Sequence, residues 1–134
     1  MSYSLPLPAD DAMISFEEGI IGVSRARRFQ LLERADSPIR LLRSLDIEGF
    51  TLPVVDPHLA DPDYNPTLSR RVAEALELEP GDPMLLLAVA TLDPSGTVAN
   101  LRAPIVVNVH RLVAAQVILD DRTQPLRARV NGAQ

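Results

Sequence analysis

Residues 84 to 92 read Met-Leu-Leu-Leu-Ala-Val-Ala-Thr-Leu, an almost unbroken apolar run fenced by Asp82-Pro83 before it and Asp93-Pro94-Ser95-Gly96 after it. A run so short and so firmly bounded predicts a strand buried on both faces. It is about half of the roughly 20 residues that a bilayer-crossing helix needs, so it is not a membrane span. With 134 residues the chain has room for one domain, 1–134, and one hydrophobic core. Aromatics are 4% of the residues, so that core is aliphatic.

The flanking segments also predict strands. Met13 to Phe16 and Phe29 to Leu32 bracket a connection that carries the turn-forming Gly19 and Gly22. Ile39 to Leu45 and Phe50 to Val55 follow, the latter containing Pro53, which argues for an edge strand or a bulge. Beyond the Asp93–Gly96 hairpin turn come Thr97 to Leu101, Ile105 to Val109 and Val113 to Leu119. Between the fourth and fifth strands, Asp56 to Pro66 holds three prolines and three aspartates and reads as a loop. Leu68, Val72, Ala75 and Leu76 then recur at helical spacing, predicting one short helix near 68–78 capped by Thr67 or Ser69 and ending before Pro80-Gly81. The chain is therefore all-β and mainly antiparallel, a barrel or sandwich of about eight strands. The ends, 1–11 and 123–134, are expected to be loosely ordered.

The chain has no cysteine and two histidines, which excludes disulfides, thiolate nucleophiles and zinc-finger or iron–sulfur ligation. Asp61-Pro62-Asp63-Tyr64-Asn65 opens like a calcium loop, but Pro66 and Val72 stand where that loop needs glycine and a bidentate glutamate. Hydrolase chemistry has no foothold: the serines lie in no G-x-S-x-G setting, and His58 and His110 read as surface residues. The amino-terminal MSYSLPLPADD has no cationic stretch followed by an apolar run, so a cytoplasmic protein is expected.

The net charge of −5 is unevenly distributed. Asp46 to Asp93 holds ten acids and two arginines, a local balance of −8, while the rest sums to +3. Such a segment repels nucleic acid and suits a basic partner, whose approach it would steer. Asp61, Asp63, Glu74 and Glu77 are the first candidate contacts, with Asp120-Asp121 as a second patch. Asn100, Pro104 and Asn108 punctuate otherwise apolar strands, so their expected role is a structural latch that closes hydrogen bonds at a strand corner.

Several blocks in order resemble bacterial flagellar assembly factors of the FliW family. They are Ile14-Ser15-Phe16, Glu18-Gly19-Ile20-Ile21-Gly22, Arg28-Phe29-Gln30-Leu31, Ser37-Pro38 and Leu42-Arg43-Ser44-Leu45. Phe50, Val54-Val55-Asp56-Pro57 and Asp63-Tyr64 continue the likeness, and Asn100 to Asn108 followed by Gln116-Val117-Ile118-Leu119 is its most specific part. Ile21, Val23, Arg43 and Thr123 depart from the family's usual residues. The resemblance implies a small β-barrel-like protein without catalytic activity or cofactor. It implies binding to the RNA-binding regulator CsrA, with antagonism of its repression of translation, and binding to flagellin, which releases CsrA. Neither direct nucleic-acid nor membrane binding is expected. On this reading the acids meet CsrA, Ile20 and Ile21 beside them meet flagellin, and the two partners exclude each other by overlap. The runner-up is a β-barrel that binds a small ligand in a deep pocket.

Overall fold

The computed structural model describes residues 12–34 and 36–130. Nine strands form β1 (Met13–Phe16), β2 (Arg28–Leu32), β3 (Arg40–Ser44), β4 (Thr51–Val55), β5 (Met84–Asp93), β6 (Gly96–Ala99), β7 (Ile105–Asn108), β8 (Val113–Gln116) and β9 (Ala128–Arg129). Among the described residues the one α-helix, α1, is Arg70–Ala75. Strands β1, β2, β3, β4, β5, β7 and β8 pair in that order, and β8 returns to β1 in a parallel ladder, closing a barrel-like ring. Strands β6 and β9 extend from the distal half of β5: residues 84–87 pair with β7, and 90–93 with β6.

The double burial expected of 84–92 holds over Leu85–Ala88, while Thr91 and Leu92 emerge into solvent beside the hairpin. One expectation is corrected, because the apolar residues divide into two clusters rather than one core. Ile14, Phe16, Phe29, Leu31, Leu42, Val54, Leu85, Leu87, Ile105, Val107 and Ala114 come from all seven ring strands and fill the ring. The alternate residues Val55, Leu86, Ala88 and Val106 point outward and are covered by Tyr64, Leu76, Leu101, Leu119 and Val130. The two-residue period of a strand thus makes β4, β5 and β7 a wall shared by both clusters. The three phenylalanines cluster as well, with Phe16 and Phe50 set edge-on to Phe29 at 5.1 and 6.1 Å.

Pro53 lies inside the ring rather than on a free edge, paired with Leu41 of β3. Lacking an N–H, it marks where the β4–β5 ladder stops after Val54↔Val89 and Val55↔Ala88. The helix is shorter than the 68–78 expected: Ser69 caps it by accepting from Val72 N at 3.2 Å, and it ends in a Schellman turn. There Leu78 N donates to Ala73 O and Glu77 N to Glu74 O, with Glu77 itself left-handed at φ +56°. The last strand predicted to reach Leu119 ends at Gln116. The loose end expected from 123 is also corrected over 123–130, where β9 pairs with β6 and Val130 is buried. Residues 1–11 and 131–134 of the expected loose ends lie outside the described residues. Among the described residues no helix is long and apolar enough to cross a membrane.

Candidate functional site

Strand direction gives the ring two ends. At one lie Phe16, Ser44, Ile105 and Gln116 with the turns that follow β1 and β3; at the other lie Met13, Val55, Met84, Asn108 and the segment carrying α1. The first end is built by Gly19, whose φ is +71° and whose Cβ, if present, would sit 2.4 Å from Ser24 O. Only glycine fits there. The turn it permits buries Ile20, which joins the ring core at 5% exposure, and leaves Ile21 49% exposed. Ile20 is therefore withdrawn as a surface contact, while Ile21 remains available. Gln116 fixes that turn from both sides of its amide: Oε1 accepts from Ile21 N at 3.0 Å, and Nε2 donates to Ala103 O at 3.3 Å. Ile118, two residues on, is 66% exposed.

The acids do not form one uniform face. Four arginines from outside the acidic segment sit on its carboxylates: Arg28 on Asp46, Arg111 on Glu77, and Arg127 with Arg129 on Asp93. Asp56 is engaged by His58 Nδ1 at 2.8 Å. That histidine, expected at the surface, is half-buried, and its Nε2 contacts Tyr64 O at 2.9 Å. Tyr64 is buried and donates to Leu101 O; burial, followed by the charge of Asp61, pushes its phenol up to about 12. Asp61 accepts from Asp63 N, its carboxylate turned back on its own loop. Among the described residues Asp63, Glu74 and Asp120 are exposed without an arginine partner.

Of the two candidate patches, only Asp120 and Asp121 line a cleft. Asp120, Asp121, Leu119 and Gln124 form one wall of an open cleft of ≈ 370 Å³, and residues 65–69, directly after Asp61 and Asp63, form the other. The Thr123 hydroxyl and N–H that donate to Asp121, with Arg102 nearby, hold its carboxyl below the ordinary value. Glu77 lies elsewhere: Arg111 reaches it at 3.2 Å, and Asn108 Nδ2 donates to Leu76 O at 2.8 Å and Glu77 O at 3.3 Å. Glu77 and Ile21 are thus at opposite ends of the ring, not side by side. Between these ends runs β8, about 10 Å long at 3.3 Å per residue.

The corner residues divide their tasks. Asn100 Oδ1 accepts from Arg102 N and Ala103 N, shaping the turn that delivers buried Pro104, whose carbonyl receives Val117 N. Asn108, 2% exposed, ties β7 to the end of α1 and accepts from His110 N and Arg111 N. Asn108 is tied to the helix and not only to a loop, a partner thirty residues away that nothing local in the sequence announces.

Residues 7–130 match the family described as FliW protein. The flagellar assembly factor FliW of Thermosipho africanus is 34% identical over 127 residues, covering 91% of this chain and 87% of its own length. That of Thermotoga maritima is 36% identical over 123 residues, covering 89% and 83%. A crystal structure of the flagellar assembly factor FliW superposes with a TM-score of 0.81 at 30% identity, covering 93% of this chain and 89% of the other.

Proposed function

The chain belongs to the FliW family, and from that membership we propose that it serves flagellar assembly as a non-enzymatic, cytoplasmic switch between two protein partners. It binds the translational regulator CsrA and antagonises it, and it binds flagellin, whose arrival releases CsrA. Family membership over residues 7–130 is the observation that carries this reading.

The surface supports it. Asp120 and Asp121 line an open cleft and suit a basic protein, and Asp61, Asp63, Glu74 and Glu77 are the further acids proposed to meet it. The exposed Ile21 and Ile118 offer apolar contact to flagellin. The small-ligand alternative needs a cavity within the ring, and that space is filled by Phe16, Phe29, Leu31 and Leu87. A partner burying the standard 800 Å² or so covers a patch roughly 30 Å across, so two partners centred on opposite ends of a ring this short still collide.

Calorimetric titration of the full chain with CsrA and separately with flagellin tests the reading. Binding of both is expected, with Asp120→Asn/Asp121→Asn weakening CsrA and Ile21→Asp weakening flagellin. Failure to bind either partner would contradict it.

A further inference from the structure

We propose that Arg102 is a positioning residue for the partner surface: it holds the segment carrying Asp120 and Asp121 in the shape that the basic partner meets. This rests on the reading of those two acids as part of the CsrA site.

Between Gln116 and Ala128 the chain follows no regular strand. Arg102 grips it at three points. Its carbonyl accepts from Leu119 N at 2.8 Å, its Nη2 donates to Arg122 O at 3.0 Å, and its Nε donates to Gln124 O at 2.9 Å. Asp120 and Asp121 lie between the first and second of these points. The grip is itself anchored, since Asn100 Oδ1 fixes Arg102 N and the flanking Leu101 and Ala103 are buried. A guanidinium presents its donors in a rigid fork, which lets one side chain hold two carbonyls of an irregular loop; a lysine gathers its donors on one nitrogen at the end of a flexible stem. The loop so held supplies Leu119, Asp120, Asp121 and Gln124 to the cleft wall.

Arg102 is also a cation beside an acidic surface, and the two roles predict opposite signs. If its charge alone mattered, removing it would make the surface more negative and strengthen attraction to a basic partner. If it positions the acids, removing it weakens binding although the charge becomes more favourable.

The test compares Arg102→Gln and Arg102→Lys, each alone and combined with Asp120→Asn/Asp121→Asn, by calorimetric titration with CsrA and by hydrogen exchange of the free full-length chains. Both single variants are expected to lose tenfold or more in affinity, lysine recovering little. In the Asp120→Asn/Asp121→Asn background the same change should cost less than twofold, and faster exchange should be confined to residues 119–124. Tighter or unchanged binding by Arg102→Gln, equal losses in both backgrounds, or exchange accelerated throughout the ring strands would overturn the proposal. If the unaltered chain does not bind CsrA, the underlying functional reading falls, and the proposal with it.

Discussion

Asn100 and Asn108 look interchangeable in the sequence, yet they use the amide differently. Asn100 works through its oxygen, which accepts from two backbone N–H groups, whereas Asn108 also works through its nitrogen, which donates to the carbonyls that end α1. Asn100→Asp keeps every acceptor and is expected to leave the denaturation midpoint nearly unchanged. Asn108→Asp turns a buried donor into a carboxylate facing two carbonyls and should cost at least about 1 to 3 kcal/mol in the same experiment. A third polar residue, Asp93, carries a pH signature. The Ser95 hydroxyl, the Ser95 N–H, Arg127 and Arg129 hold its carboxyl down to about 2 from an ordinary 3.8. A depressed folded value means that the stabilisation is complete above the unfolded value and disappears as the pH falls from about 4 to about 2. Thermal melts of Asp93→Asn should therefore lie below the unaltered chain at pH 7 and converge with it near pH 2.

At the scale of elements, α1 carries a residue at odds with its backbone. Glycine is the usual occupant of the left-handed position that closes a Schellman turn, and here it is Glu77. Left-handed backbone costs an ordinary residue about 1 to 2 kcal/mol, while the exposed pair with Arg111 returns less than about 1. Glu77→Gly should raise stability by about 0.5 to 1 kcal/mol in denaturant melts, a test independent of any partner. Placing the helix end from the sequence alone fails for this reason, because the nearest glycine signal is Gly81. The eight longer strands were legible because each is an apolar run bounded by turn residues. Strand β9 was not, since Ala128–Arg129 has no apolar pattern and is kept in place by pairing with β6 and by the ionic hold on Asp93. Of the Ile20–Ile21 pair, composition could not say which residue would be buried; that is decided by the turn around Gly19.

For the whole molecule, the charge pattern was legible as a sum but not as a surface. The segment from Asp46 to Asp93 is strongly acidic along the chain, yet residues from β2, the β7–β8 turn and β9 bring arginines onto it. The acids left exposed gather partly around the 119–124 cleft wall, which connects through Arg102, Ala103 and Gln116 to the Ile21 turn. Through that corner the surfaces proposed for CsrA and flagellin are linked by hydrogen bonds. Exclusion by overlap is the expected behaviour, although Glu77 and Ile21 occupy different ends. Charges farther apart than about 8 to 10 Å are largely screened at 0.1 to 0.15 M salt, so association with CsrA should slow as salt rises while association through Ile21 changes little. A switch on which one partner displaces the other can be read out by titrating flagellin into the preformed complex with CsrA and weighing the products by native mass spectrometry. Free CsrA and a binary complex with flagellin are expected; a stable species containing all three proteins would rule the switch out.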